Sequence, residues 1–393
     1  MTLPLDHITV VSLEHAIAAP FCTRQLADLG ARVIKVERPG AGDFARAYDS
    51  RAKGLASHFV WVNRSKESLT LDLKQPAALD VLRELLAQAD VLVQNLAPGA
   101  TARMGLDYET LQSLNPRLIV CDISGYGGDG PYRDKKAYDL LIQSEAGYLS
   151  VTGTPDTMCK SGNSIADIAA GMYAYSNVLA ALAYREKTGQ GSHIDVSMLE
   201  SLVEWMGFPM YYAYDGAEPP PRSAAAHATI YPYGPFPAGD GNTVMFGLQN
   251  EREWKAFCDE VMRMPELATD ARFASNGLRN AHRDELRALI LDVFGAMTAA
   301  EVVDRLEQAR IANARVSTMA QVWDHPQLRA RDRLRTVGTS RGDIAAMLPP
   351  GTSNRYQPRM DPIPDVGQDT EAILRRLGRS DADIQALRAS GAV

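Results

Sequence analysis

Short apolar runs rich in β-branched residues alternate with longer amphipathic stretches along the first half of the chain. Residues 8–13 and 31–37 have the composition of strands. Between them, residues 20–29 predict a helix that begins at a proline and ends before Gly30. A strand, a helix and a strand in so short a stretch predict a parallel βαβ unit.

The same alternation continues as far as residue 205. Further strands are predicted over residues 67–74, 91–96, 118–124 and 193–196, with a helix that Pro76 opens. Repeated βα units of this kind form a parallel sheet with helices on both faces. The fold class predicted for this part of the chain is therefore α/β, as a Rossmann-like doubly wound large domain.

The composition changes at residues 214–222, where three consecutive prolines follow glycine, alanine and glutamate. Such a segment is typical of a linker between domains. Beyond it, a strand over residues 243–248 and helices over 251–262, 279–297 and 299–310 predict a smaller α+β domain. The predicted division is a large domain at 1–215, a linker and small domain at 216–330, and a C-terminal segment at 331–393 that returns to the large domain.

Asp167 lies where a polar loop, residues 160–166, gives way to a run of small and apolar residues that ends before Gly189. The run predicts a core helix, since Ser176 and Asn177 interrupt it too early for a membrane span. Asp167 can be the helix N-cap, which accepts backbone N–H bonds. It can also be a nucleophile, whose carboxylate the same donors would keep ionised at neutral pH.

Composition limits the partners of the protein. Its 393 residues are 46% hydrophobic and 23% charged, with a net charge of -7 and no basic block, so a nucleic-acid partner is not expected. The four cysteines and seven histidines show no metal-ligand spacing, so no metal site is predicted. Residues 1–7 show no export signal, and a reducing cytoplasm without membrane attachment is the expected location.

The first βα turn excludes a common cofactor. Residues 14–20 contain no glycine, so the close backbone approach that a dinucleotide pyrophosphate needs is missing. Residues 38–46 instead form a glycine-bearing loop after the second strand. Loops at the carboxyl ends of strands are where open α/β sheets bind ligands.

An ordered set of motifs resembles one enzyme family. The motifs are His-Ala-Ile-Ala-Ala-Pro at 15–20, Leu-Gly-Ala-Arg-Val-Ile-Lys-Val-Glu-Arg-Pro-Gly-Ala-Gly-Asp at 29–43, Asn-Leu-Ala-Pro-Gly at 95–99, Arg-Met-Gly at 103–105, Asn-Pro-Arg at 115–117, Ser-Gly-Tyr-Gly at 124–127, and Asp167 with its small-residue helix. Together they resemble the class III CoA-transferases, the family of formyl-CoA and carnitine-CoA transferases, over nearly the whole chain.

The resemblance implies a covalent mechanism. An aspartate, matched by Asp167, attacks the thioester of an acyl-CoA and forms a mixed anhydride, and the released thiolate then forms an aspartyl-CoA thioester. Water must be excluded from such intermediates. The family also implies an interlocked, ring-like homodimer, with CoA thioesters as substrates and no permanently bound cofactor.

The resemblance also implies which residues line the CoA site: His15, Ala18, Arg38, Lys74, Asn95, Leu96, Arg103 and Lys136. Scattered basic residues usually lie on the solvated surface, so their positions in the sequence alone do not identify the basic residues of this set as phosphate ligands. The resemblance is what assigns them that role. Arginine and lysine suit phosphate contacts by charge and donor number.

A second set of residues is predicted to bind the acyl group. Arg46, with Arg51 or Arg222 in reserve, is the candidate partner for a second substrate carboxylate. Glu145 can contact the active site or be an ordinary helix residue. His227 and Tyr233 can shape the acyl pocket or be structural, in a segment, 223–234, that lacks the glycine tetrad of the formyl-CoA branch. The resemblance therefore points to the branch that uses succinyl-CoA and C4 to C5 dicarboxylates such as mesaconate, itaconate, malate or glutarate.

Two alternatives stay open. An α-methylacyl-CoA racemase has the same fold and uses a histidine with an aspartate as a base pair. Here Tyr138 stands at the matching position, and a phenol of ordinary pKa near 10 is a poor base at neutral pH. A non-catalytic CoA-binding protein is the other alternative, which the presence of Asp167 disfavours.

Overall fold

The computed structural model describes residues 2–393. Its eleven strands are β1 (Thr9–Leu13), β2 (Arg32–Glu37), β3 (Lys66–Thr70), β4 (Val91–Gln94), β5 (Ile119–Ser124), β6 (His193–Ser197), β7 (Tyr233–Pro237), β8 (Thr243–Gly247), β9 (Asn313–Arg315), β10 (Leu334–Val337) and β11 (Ile344–Met347).

The α-helices are α1 (Ala18–Asp28), α2 (Ser57–Val62), α3 (Pro76–Gln88), α4 (Ala100–Arg103), α5 (Tyr108–Leu114), α6 (Asp139–Glu145), α7 (Tyr148–Val151), α8 (Ile165–Thr188), α9 (Met198–Trp205), α10 (Gly207–Tyr212), α11 (Glu251–Ala256), α12 (Asn276–Ala281), α13 (Arg283–Gly295), α14 (Ala299–Gln308), α15 (Met319–Trp323), α16 (Pro326–Ala330), α17 (Thr370–Arg376) and α18 (Asp381–Ala389).

Strands β1 to β6 form one parallel sheet in the order β3-β2-β1-β4-β5-β6. The chain moves outward from β1 to β3, then crosses to β4 on the other side of β1. This reversal is the switch point of a doubly wound sheet, beside which α/β folds place their ligands. The predicted α/β class is confirmed for this part of the chain.

The described chain divides into two compact units. The first comprises residues 2–147, Ser161–Gly207 and Leu328–Val393 and contains the parallel sheet and the β10–β11 hairpin. The second comprises Tyr148–Lys160 and Phe208–Gln327, with the antiparallel sheet β7-β8-β9 over an aromatic core. The predicted division kept the short segment Tyr148–Lys160 in the large domain, whereas in the structure it belongs to the second unit.

Helix α8 is the central helix of the first unit. Its alanine-rich face is buried, with α1 and α9 packed against it, and it ends where Gly189 adopts a left-handed φ of 76°. It is long and apolar enough to cross a membrane, but its packing is that of a core helix, as predicted. At Gly171 a Cβ atom would lie 2.7 Å from the carbonyl oxygen of Ala18, so glycine permits the close approach of α1.

Some elements were not predicted. Strand β7 begins at Tyr233, inside a segment interpreted as loop, and the β10–β11 hairpin was missed because its strands are short and only partly buried. The helix predicted over residues 251–262 is α11 followed by a π-helical turn at Phe257–Met262.

Candidate active site

Asp167 is the third residue of α8, so it is not the N-cap, and that interpretation is wrong. The N-cap is Ser164, whose side chain makes no capping hydrogen bond. No hydrogen bond to the Asp167 carboxylate is found among residues 2–393. The side chain is partly exposed on the first turn of the helix. A carboxylate that no donor holds is free to react.

A second carboxylate caps the helix in place of Asp167. Oδ1 of Asp139, the first residue of α6, accepts the backbone N–H groups of Ala166 at 2.8 Å and Asp167 at 3.3 Å. Its Oδ2 accepts from Nε2 of buried Gln143 at 2.6 Å. Oε1 of Gln143 accepts the N–H of Ser161 at 2.9 Å. The loop before α8 and its first turn are therefore fixed from α6.

These surroundings change the acidity of Asp167. Burial, and then the nearby negative charge of Asp139, raises the pKa of Asp167 to about 7. The prediction that helix N–H donors keep Asp167 fully ionised is wrong, because Asp139 takes the donors at its position. A carboxyl group with a raised pKa and no fixed partner is a strong candidate for a catalytic group.

The turn between β1 and α1 leads into α1, which packs against α8. The backbone N–H of His15 donates to Oδ1 of Asn95, and its carbonyl accepts from Nδ2, both at 2.9 Å. Ala16 has a φ of 59°, and its N–H donates to Oδ1 of Asp43 at 3.2 Å. Strained backbone held by side chains is common at functional sites.

A buried ionic network supports that turn. Lys35 donates to Asp43 at 2.8 Å, and Lys66 donates to Glu14 at 2.7 Å, with all four side chains fully buried. Burial opposes the charge of Glu14, but the ammonium groups of Lys66 and Lys35 outweigh it and its pKa is lowered. Removing one partner of a buried ion pair strongly destabilises a protein, because the other charge is left buried without compensation. The two ion pairs therefore hold Glu14 and Asp43, and with them the turn, in place.

The residues assigned to CoA follow the carboxyl ends of neighbouring strands. His15 follows β1, Arg38 follows β2, Lys74 comes after β3, and Asn95 with Leu96 follows β4. Parallel strands end at one edge, so the sheet brings these positions to the same side. Ala18 begins α1 and is buried, whereas the basic side chains Arg38, Lys74, Arg103 and Lys136 are exposed.

Comparisons with known proteins agree with this geometry. Residues 5–370 match the family model described as CoA-transferase family III. The chain belongs to this family. It is 36% identical over 333 residues to the acetyl-CoA:oxalate CoA-transferase of Acetobacter aceti, covering 84% of this chain and 85% of that protein.

Two further proteins extend the similarity over nearly the whole length. The mouse succinyl-CoA:glutarate CoA-transferase is 32% identical over 397 residues, covering 99% of this chain and 90% of that protein. A solved CAIB/BAIF family protein from Brucella suis has a TM-score of 0.85 and 32% identity, covering 96% of this chain and 100% of that chain. The chain is therefore an enzyme that transfers CoA, and the transferase interpretation is supported over the racemase.

In this family III CoA-transferase, Arg46 is a structural residue. Its guanidinium binds Glu37 through two hydrogen bonds of 2.9 and 2.7 Å, donates to the carbonyl of Pro364, and lies 3.7 Å from the ring centroid of Phe59. The prediction that Arg46 binds a substrate carboxylate has no geometric support. Of the two reserves, Arg222 donates to the carbonyl of Pro155 at 2.6 Å, and Arg51 is exposed.

Glu145 is not among the groups that shift the pKa of Asp167. It forms an ion pair with Lys135, whose ammonium lies 4.4 Å from the ring centroid of Tyr132. Asp139 is the carboxylate whose charge acts on Asp167 instead, and the sequence interpretation missed it. The available signal was its place directly after Tyr138, at the start of a helix. Tyr138 itself is 71% exposed.

In the second unit, His227 has a local structural role. Its Nδ1 accepts the backbone N–H groups of Thr229 at 3.1 Å and Ile230 at 3.0 Å, and its ring stacks on Tyr233 with centroids 5.3 Å apart. Because Nδ1 accepts, the ring proton lies on Nε2. That N–H remains the one polar group His227 can offer to a ligand.

Proposed function

We propose that this enzyme transfers CoA from succinyl-CoA to a C4 or C5 dicarboxylate, with Asp167 as the nucleophile. The observation that carries the proposal is the state of Asp167 on the first turn of α8. Its carboxyl group has no hydrogen-bond partner among the described residues, has a pKa raised to about 7, and is held next to Asp139.

The reaction proceeds through two exchanges at Asp167. An Oδ atom attacks the acyl carbon of the donor thioester, the C–S bond breaks, and the electron pair leaves on sulfur. The CoA thiolate then attacks the Asp167 carbonyl carbon and displaces the donor acid as a carboxylate. The acceptor carboxylate reverses both steps, so CoA moves to the acceptor and Asp167 is regenerated. Covalent capture retains the thioester's energy.

Relatives support the choice of dicarboxylates. The Acetobacter aceti and mouse relatives are named for oxalate and for glutarate, both acids with two carboxyl groups. The mouse relative is named for succinyl-CoA as donor. Because Arg46 forms an ion pair with Glu37, we propose that another residue binds the second carboxylate of the substrate. Arg51, one of the two arginines predicted as alternatives to Arg46, is exposed in the first unit and is the candidate.

We also propose that the enzyme acts as a homodimer of interlocked chains. Residues 205–214 expose large apolar side chains, which favour coverage by a partner. These are Trp205, Phe208, Met210, Tyr211, Tyr212 and Tyr214.

The test is mass spectrometry of CoA thioesters after incubation in deuterated water. The enzyme receives succinyl-CoA alone, succinyl-CoA with each of a panel of free dicarboxylic and monocarboxylic acids, or a 2-methylacyl-CoA. We expect new thioesters only when a dicarboxylic acid is added, without deuterium. Deuterium entering the 2-methylacyl-CoA without added acid would make the enzyme a racemase.

The matched variant is Asp167→Asn, which keeps size and shape while removing the nucleophile. Transfer is expected to fall by at least about 1000-fold while acyl-CoA still binds. Full transfer activity in Asp167→Asn would refute the nucleophile assignment.

A further inference from the structure

The ring of His15 is packed between Asp43 and Phe44. Its Nδ1 is buried, 3.7 Å from Oδ1 of Asp43, and its face stacks on Phe44 with centroids 5.1 Å apart and 23° between the planes. The side chain remains 27% exposed. At 3.7 Å the two groups form no hydrogen bond, but the negative charge of Asp43 favours the tautomer with the proton on Nδ1, which leaves Nε2 as an acceptor.

Asp43 is itself fixed. It is fully buried, accepts from Lys35 at 2.8 Å and from the N–H of Ala45 at 2.9 Å, and also holds the strained Ala16. Burial disfavours its charge, but the Lys35 ammonium and the hydrogen bond from the backbone of Ala45 hold the pKa of Asp43 well below its usual range. Asp43 is therefore a permanent negative charge behind His15.

Two observations place His15 near Asp167. Gly171 lies one helical turn after Asp167 on the same face of α8, and it touches Ala18, at the end of the turn that His15 begins. Tyr48, 5.8 Å from Phe44 between ring centroids, lies within the fields of both Asp43 and Asp167, which together with burial raise its pKa. The rings of His15, Phe44 and Tyr48 thus form a continuous row, and Tyr48 at its end is close enough to Asp167 to be affected by its charge.

We propose that His15 is the base that keeps the sulfur of CoA in its thiolate form between cleavage of the donor thioester and attack on the Asp167 carbonyl, with Asp43 as its positioning residue. The proposal rests on Asp167 as the nucleophile. Free CoA would spend part of its time as a thiol, which cannot attack the anhydride. An Asp-oriented imidazole that takes the thiol proton is the arrangement that activates nucleophiles in acyl transfer.

The proton and the electrons balance. The S–H bond breaks, and its proton moves to Nε2 of His15, giving an imidazolium whose charge faces Asp43. The sulfur electron pair forms a bond to the Asp167 carbonyl carbon. The bond from that carbon to the bridging oxygen breaks, and the donor acid leaves as a carboxylate. When the acceptor acid later releases the thiolate, the imidazolium stands beside it as its counter-ion.

The experiment compares His15→Ala with His193→Ala. His193 is a matched control: it is also partly exposed, is hydrogen-bonded to Asp122 at 2.8 Å, and stacks on Tyr108 at 5.1 Å, but it lies on the edge strand β6. For His15→Ala we expect kcat to fall by about 100-fold or more, within the usual range for a lost general base, with the KM for acyl-CoA nearly unchanged. Added imidazole should restore part of kcat. His193→Ala should match the parent enzyme.

A raised KM with unchanged kcat in His15→Ala would overturn the proposal, because the ring would then only bind CoA. Intact-mass spectrometry of the acid-quenched enzyme separates this failure from that of the nucleophile, because an acyl adduct and a CoA thioester at Asp167 differ in mass. The attack of Asp167 on the donor thioester needs no base, so the acyl adduct at Asp167 should accumulate in His15→Ala. No adduct in the parent enzyme, with full activity in Asp167→Asn, would refute the nucleophile itself. An adduct that turns over normally in His15→Ala would refute only the role of His15.

Discussion

At the residue scale, the raised pKa of Asp167 makes the nucleophile a source of instability. In the unfolded chain the group has a pKa near 3.8, and in the fold about 7. Between these values the folded state binds more protons, so stability falls as pH rises. Three pH units at about 1.4 kcal/mol each set an upper limit of ~4 kcal/mol on this cost.

The consequence is that Asp167→Asn should stabilise the protein while inactivating it. At pH 8 we expect its free energy of unfolding to exceed that of the parent by about 2 kcal/mol or more, since the amide carries no charge to desolvate. At pH 4 the difference should nearly vanish, because the parent carboxyl is then protonated. Urea unfolding at both pH values checks this, and equal stability at pH 8 would contradict the raised pKa.

Activity should depend on pH through the same group. The attacking form is the carboxylate, so below pH 7 the single-turnover rate of acyl transfer to the enzyme should fall about tenfold per pH unit and level off above it. In Asp139→Asn the neighbouring negative charge is gone, and the midpoint should move to lower pH by about one unit. An unchanged midpoint in this variant would show that Asp139 does not act on Asp167 electrostatically.

At the scale of elements, the approach of α1 to α8 fixes the site. A Cβ at Gly171 would lie 2.7 Å from the Ala18 carbonyl oxygen and 3.1 and 3.2 Å from two atoms of Phe21. We expect Gly171→Ala to cost about 1–3 kcal/mol by overpacking and to lower kcat by displacing the turn at His15.

Gly277→Ala is the control for this prediction. Gly277 lies in α12, and nothing lies within 4 Å of a Cβ built there, so the exchange should be neutral or stabilising by about 0.5–1 kcal/mol. Thermal unfolding and steady-state kinetics of both variants test the argument. Equal stability of the two variants would contradict the close helix contact.

Elements and candidate site differed in how far the sequence could predict them. The six parallel strands and α8 could be predicted because apolar periodicity and glycine or proline stops are local signals. The role of Asp139 could not, because its capping of α8 joins residues 27 positions apart through tertiary structure. The structural role of Arg46 could not be predicted for the same reason, because one of its partners, Pro364, lies more than 300 positions away in the sequence.

At the scale of the whole molecule, the exposed apolar segment 205–214 predicts the assembly. Tyr211 is 80% exposed and Phe208 55%, in a segment where large side chains follow one another closely. Large side chains buried in a dimer interface contribute about 2 kcal/mol each, and a Phe208→Ser, Tyr211→Ser double variant removes two from each chain. The dimer should therefore be weakened by about 8 kcal/mol, which is roughly a million-fold.

Light scattering after size-exclusion chromatography measures this effect. We expect a mass of two chains for the parent and of one chain for the double variant at micromolar concentration. Leu278→Ser, at an isolated exposed leucine in α12, should leave the mass unchanged, since single exposed leucines are ordinary surface. A parent enzyme that runs as one chain would contradict the homodimer. The double variant leaves Asp139, which holds the first turn of α8, unchanged, so a loss of transfer that accompanies the loss of the dimer would indicate that the second chain is needed for activity.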